Sequence, residues 1–409
     1  MPIRSLVGPS DPSPTSPLLV PPMVIASHTR SQLAHRYDID DASAEILERF
    51  GFDADCFDAL TARMASAASK SANNASSANI VTGVLEPMRP TDIARQPASS
   101  SAEYQRLAAM GTDAIASGQV GVVLLAGGMA TRFGVGVKAL AEVLPGARFL
   151  DVKVRDLQYR AASVRCPIEL VLMTSFQSDA LLADAAVELS SDMVKISTIP
   201  QGVSMRLTPT GDIHRDAEGM PSLYAPGHGD LPDTLRNSGF VEGFIARGGR
   251  HIFVTNVDNA AATLDPVIVG LHIASGNRVT CEVTPSHSAS GGAPYVLDGH
   301  AQIIEDFRIP RDFDRSLTTA VNTNSLTIDV ASLREPAPLS WFSVEKEVDG
   351  AQVVQFERLV GELSAFLPTT MLLVEGDGPD GRFQPVKTPE ELERRRPTIR
   401  AILGARGIL

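Results

Sequence analysis

The hydrophobic rhythm of the 409-residue chain changes several times, and each change marks a predicted element. From about Leu33 to Met64 apolar residues recur at helical spacing, Leu33 with Tyr37 and then Ile46, Leu47 and Phe50. A Ser/Ala/Asn-rich connector, 65–79, follows. From Val120 the rhythm becomes short apolar runs separated by amphipathic stretches. The runs 120–126, 168–174, 250–257 and 277–284 are predicted strands, and 151–163, 178–189, 231–247 and 265–275 are predicted helices. This alternation is the mark of βαβ units, hence of an α/β fold with a mostly parallel sheet and helices on both faces. From 292 to 329 the segments shorten, with Gly and Asp between them, which predicts hairpins inserted near one sheet edge. The tail is expected to hold an amphipathic helix from Val353 to Phe366, a strand from Met371 to Val374 and a charged helix from Glu390 to Arg396. The parse that results is a flexible Pro/Ser-rich arm over 1–32, a helical N-terminal region over 33–115, an α/β core over 116–335 and a C-terminal part over 336–409.

Composition narrows the class of partner. With 44% apolar and 21% charged residues the chain is expected to be an ordinary soluble protein. A formal net charge of -12 argues against nucleic acid and anionic membranes, since a phosphate polymer needs a broad basic surface. Small anions need only a local cluster of cations and backbone N–H groups. Cys56, Cys166 and Cys281 are too few and too scattered for a disulfide framework or a CxxC metal site, so a reducing, cytoplasmic setting is expected. The apolar stretch SPLLVPPMVIAS is broken by Pro17, Pro21 and Pro22, and no export signal or membrane span is expected.

The densest chemistry lies in LAGGMATRFGVGVK, Leu125 to Lys138. A strand that ends in Gly127-Gly128 brings bare backbone to a ligand, and successive N–H groups there form an anion nest. Thr131, Arg132 and Lys138 can add a hydroxyl and two cations, although a plain Gly-rich turn would read alike. The spacing matches neither G-x-x-x-x-G-K-S/T nor G-x-G-x-x-G. Asp258, in the sequence 256–259 after a predicted strand, is either a ligand of a hard cation or a helix cap. His228 stands between two glycines in PGHGD and is either a ligand contact or structural. Asn322 and Asn324, two apart in a predicted strand, point to one face. Gly291 and Gly292 would let a ligand pack on bare backbone, and Lys387 is either a phosphate clamp or a solvated lysine.

These motifs together resemble a known family. A strand running into L-x-G-G followed by Thr and Lys, then LVLMTSF (170–176), Gln201, PGHGD (226–230), residues 237–266, CEVTPS with Gly291-Gly292, NTNSLTI (322–328) and RFQPVK (382–387) are similar to the UTP:glucose-1-phosphate uridylyltransferase, or UDP-glucose pyrophosphorylase, family of sugar nucleotidyltransferases. The resemblance spans about residues 115–390. It implies a Rossmann-like, GT-A type nucleotidyltransferase domain without a long β-helix tail. It implies a reaction in which UTP and glucose 1-phosphate give UDP-glucose and pyrophosphate, with Mg2+ on Asp258. By the same resemblance Lys138, Arg132 and Lys387 are catalytic, and Ala126, Gly127, Gly128, Thr131, Gln201 and Gly227 bind the nucleotide. The sugar phosphate would meet His228, Asn256, Gly291, Gly292, Glu305, Asn322 and Asn324. The family usually carries Pro before the first lysine, in a longer loop; here Val137 precedes Lys138. The alternatives are another sugar 1-phosphate, N-acetylglucosamine or galactose, and a sensor that binds nucleotide sugar.

Overall fold

Eight strands make the central sheet in the order Ala94–Arg95, Thr369–Leu373, Val279–Pro285, Ala320–Asp329, His251–Asn256, Val120–Leu125, Ile168–Thr174 and Val194–Pro200. The computed structural model describes residues 28–70, 79–129, 136–285 and 291–409. Seven strands run parallel, and Ala320–Asp329 alone runs against both of its neighbours. The apolar runs predicted from 120, 168, 250 and 277 are therefore strands of one α/β sheet. Their side chains alternate as a period of two demands: Val122, Leu124 and Phe253 enter one core, Val123, Ile252 and Val254 the other. The first core is closed by the helices Phe149–Val164, Asp179–Leu189 and Pro389–Ala405, the second by Leu231–Asn237 and Phe240–Ala246. Among the described residues no helix is long and apolar enough to cross a membrane.

Several expectations change. The stretch 231–247 is two helices, because Gly239 takes φ +77 between them and a side chain there would be strained. Val353 to Phe366 is not one helix: Ala351–Glu357 is a strand paired with Phe342–Val348, and the helical part is a 3-10 turn, Val360–Glu362, followed by Leu363–Phe366. Asp349 and Gly350, both at positive φ, close that hairpin, and the β-formers Val353, Val354 and Phe356 follow them. The helix expected to stop at Arg396 continues through Pro397 to Ala405, since buried Ile399, Ile402 and Leu403 anchor its second half. Over 292–329 the hairpin Gly292–Leu297 with His300–Glu305 does lie outside the main sheet, paired with Leu85–Pro87, but Ala320–Asp329 enters its middle.

The helices Arg30–Tyr37, Asp41–Arg49 and Ala54–Lys70 pack through Leu33, Leu47 and Phe57 on Met205, Leu207, Val354 and Phe356. The helix Ala102–Ala116 instead crosses Pro266–Ser275 with almost no space between backbones. A Cβ on Gly270 would stand 1.9 Å from Leu107 O, and one on Gly111 1.8 Å from Pro266 O.

Alanine at 270 would gain about 1 kcal/mol of helix propensity. No rotamer relieves a clash with backbone, so the overpacking cost, at the upper end of about 1–3 kcal/mol or beyond, exceeds that gain. Thermal denaturation is therefore expected to show Gly270→Ala melting several degrees lower, while Gly404→Ala, with nothing within 4 Å, melts at or above the wild-type temperature.

Candidate active site

The carboxyl ends of the parallel strands lie along one edge, and the loops leaving them carry the candidate residues, where open α/β sheets place ligands. Ala126 prolongs its strand by donating to Met173 O at 2.9 Å. Gly127 then lies so close to Gln201 that a Cβ would stand 2.4 Å from its Nε2. Ser175 Oγ donates to Gly127 O at 2.9 Å, and Gly227 N–H donates to Gln201 Oε1 at 3.2 Å. Ala126, Gly127, Gln201 and Gly227 thus form one wall, with Gly128 at its end. Thr131 and Arg132 lie outside the described residues.

The loop after Gly128 is closed at its base. Met129 and Val137 pair as an isolated bridge, and Lys138 N–H donates to Gly128 O at 3.2 Å. Val137 is 1% exposed, so the residue that precedes the lysine is held by core packing. Lys138 Nζ meets the Asp258 carboxylate, 120 positions on, and both side chains are largely buried. Among the described residues no group of three or more His, Cys, Asp or Glu side chains gathers as a metal cage. A lone carboxylate that already faces an ammonium fits a hard cation whose remaining ligands are phosphate oxygens and water.

Asn256, Asn322 and Asn324 do converge, by a different geometry from the strand alternation expected. A bulge opposite Glu282 and Val283 puts Asn324 at φ +57, where asparagine is tolerated. Asn324 Nδ2 then donates to Asn256 Oδ1 at 2.9 Å, and Asn324 N–H to Asn322 Oδ1 at 3.1 Å. The remaining Asn324 Oδ1 is buried without a donor. Gly292 pairs with Glu305, whose Oε1 would lie 2.6 Å from a Cβ at 292, and Gly291 O accepts from Asp306 N–H at 3.2 Å. Burial pushes the Glu305 carboxyl up to about 7, against the pull of Arg308. His228 Nδ1 accepts from Val360 N–H at 3.1 Å, which leaves the neutral ring's proton on Nε2. Burial holds that imidazole down at about 4, opposed by Glu357.

RFQPVK reaches the same edge through Asn259. Its side chain accepts from Gln384 N–H and donates to Arg382 O, both at 2.9 Å, and Asn259 bridges Pro385. Lys387, two residues on, is exposed. Arg382 faces inward, gripping buried Glu282 at 2.6 and 2.8 Å.

The family model for UTP--glucose-1-phosphate uridylyltransferase matches residues 76–394. The chain belongs to that family. The Solanum tuberosum UTP--glucose-1-phosphate uridylyltransferase is 30% identical over 288 residues, 66% of this chain and 60% of that protein. The chain therefore spans about three fifths of the length of such curated relatives. A Leishmania major UDP-glucose pyrophosphorylase in complex with UDP-glucose shares the fold with a TM-score of 0.61 at 20% identity, covering 90% of this chain and 78% of that one. The Trypanosoma brucei uridine diphosphate N-acetylglucosamine pyrophosphorylase gives 0.65 at 17%, covering 82% and 74%.

Within this uridylyltransferase-family site, two supporting residues escaped the sequence reading. Asp230 Oδ2 accepts from Gly202 N–H at 2.7 Å, and its carboxylate lies 3.4 Å from Arg358 Nη1, so it ties the Gln201 and His228 loops together. The aspartate is in PGHGD, but its partner Arg358 is 128 residues away in a segment predicted to be helix.

An unfolded histidine takes its proton near pH 6.5, while folded His228 does so near 4. Between these values the unfolded chain binds the extra proton, so this share of stability is present above 6.5 and lost as pH falls toward 4. The ring C2 proton assigned by its loss in His228→Asn is expected not to titrate between roughly pH 5.5 and 8. A midpoint near 6.5 would contradict the burial that sets this behaviour.

Proposed function

We propose that this chain transfers the uridylyl group of UTP to glucose 1-phosphate, forming UDP-glucose and pyrophosphate. The observation that carries the reading is the meeting of Lys138 with Asp258 beside the wall of Gly127, Gln201 and Gly227. In this reading uracil lies against the Ala126–Gly128 backbone, and the Gln201 amide pairs with the base's carbonyl and N–H edge. A phosphate chain running from that wall passes the Lys138–Asp258 pair. The sugar hydroxyls meet the amide cluster of Asn256, Asn322 and Asn324, with the buried Asn324 Oδ1 as a waiting acceptor, and Glu305 beside Gly291 and Gly292. Magnesium would be held by Asp258 and would supply charge neutralisation for the phosphates.

The sugar 1-phosphate is already an anionic nucleophile at neutral pH, so no side chain has to remove a proton. One of its oxygens attacks the α-phosphorus in line, the bond to the bridging oxygen breaks, and pyrophosphate leaves with the electron pair. Lys138 moves from Asp258 to the phosphates, and with Lys387, and Arg132 outside the described residues, offsets the charge that builds on the leaving oxygens. Neutral His228 contributes a single Nε2–H donor near the nucleotide wall. Catalysis is then positioning and electrostatics.

Pyrophosphate release from UTP and Mg2+ is expected to be fast with glucose 1-phosphate and slow with N-acetylglucosamine 1-phosphate or galactose 1-phosphate. Equal or faster release with another sugar would move the specificity, and silence with all three from folded protein would refute the reaction. Lys138→Ala is expected to lower kcat by about 10²- to 10³-fold with the circular dichroism unchanged. Near-wild-type turnover would remove Lys138 from the catalytic set.

A further inference from the structure

The loop between the strand His251–Asn256 and the helix Pro266–Ser275 is irregular, yet Asn259 to Ala262 are at most 1% exposed. Buried backbone carbonyls need donors, and an irregular loop has no ladder to supply them. Here one turn bond, Ala262 N–H to Asn259 O at 3.1 Å, is joined by three side-chain cations that donate to the same loop. Lys153 Nζ donates to Asn259 O at 2.6 Å and to Ala262 O at 2.5 Å. Arg406 Nη1 donates to Ala261 O at 2.6 Å, and Arg382 Nη2 to Thr263 O at 3.0 Å. One turn beyond Lys153 on the same helix, Asp156 Oδ2 accepts from Leu264 N–H at 2.9 Å.

Lys153 is the least expected member. It is 3% exposed, flanked by Val152 and Val154 on a helix whose other buried positions are mostly apolar. Desolvation pushes its ammonium down, with the Asp156 carboxylate opposing. Burying a lysine is costly, and an apolar residue would serve the helix better. What the lysine holds is the loop that carries Asp258 and that, through Asn259, also fixes the segment leading to Lys387.

We propose that Lys153 is a positioning residue for the reaction: by tying the carbonyls of Asn259 and Ala262 to the sheet-covering helix it sets where the Asp258 carboxylate stands. This rests on the reading of Asp258 as the metal-facing carboxylate. It predicts an effect on metal and turnover rather than on nucleotide affinity, since the wall formed by Gly127 and Gln201 belongs to other strands.

Lys153→Met keeps the length and removes both donors; Lys153→Gln returns an amide with two N–H groups. With Mn2+ as the metal, electron paramagnetic resonance should show Mn2+ binding to the UTP complex weakened at least about tenfold in Lys153→Met. Its kcat should fall about 10- to 100-fold, as a small misplacement does, with KM for UTP changed less than about threefold. Lys153→Gln should recover part of both. Variants that melt at lower temperature but bind Mn2+ and turn over like wild type, assayed below their melting points, would make Lys153 merely structural and overturn the proposal. If Lys153→Met does not fold, Lys153→Gln is read the same way. A wild-type protein that binds Mn2+ with UTP but transfers nothing refutes the reaction, while the metal-binding comparison still decides the role of Lys153.

Discussion

One reversed strand organises the site. Seven parallel strands deliver their carboxyl ends to a single edge, which is where Gly127, Gln201 and Asp258 emerge. Parallel strands alone would send the next strand's first residues to the opposite edge. Because the hairpin Gly292–Leu297 and His300–Glu305 lies beyond the site edge, the chain re-enters the sheet downward, and Ala320–Asp329 starts among the ligand loops. That direction places Asn322 and Asn324 opposite Asn256, and the bulge turns their amides toward one another. Had this strand been parallel, its asparagines would stand at the far end of the sheet.

The charge distribution follows a similar economy. The chain is acidic, with a formal net charge of -12, yet Lys153, Arg308, Arg358 and Arg382 are buried. Arg382 with Glu282 and Arg358 with Asp230 and Asp233 are buried pairs that shape loops rather than attract ligands. Such pairs add little net stability compared with apolar packing, yet removing one partner leaves an uncompensated charge. Their value lies in fixing backbone whose irregular course no ladder could hold.

How much was legible depends on the range of the determining contact. The strands at 120, 168, 250 and 277 declared themselves because both faces of each are covered, giving continuous apolar runs. Gly127 and Asp258 stood out as motif residues next to strand ends, and His228 as the histidine between the two glycines of PGHGD. The strand Ala351–Glu357 was not, because Val353, Val354 and Phe356 also fit a helical stripe; only the pairing with Phe342–Val348 through the Asp349-Gly350 turn decides between them. The bulge at Asn324 depends on the partner strand's Glu282 and Val283, and Lys153 depends on carbonyls more than a hundred residues away. Nothing local encodes either.

The far edge of the sheet has a bearing on how this protein can be handled and how it can evolve. Its last two strands, Thr369–Leu373 and Ala94–Arg95, come from beyond both ends of the stretch 116–335 and lie outside Val279–Pro285. Excising that stretch as a unit would strip both away and leave the seven-residue strand Val279–Pro285 with a bare row of N–H and C=O groups. An open edge of that length recruits other strands, and the fragment would self-associate. The chain is therefore laced shut from its two flanks, and insertions that lengthen it are tolerable only where they leave those two closing strands in place.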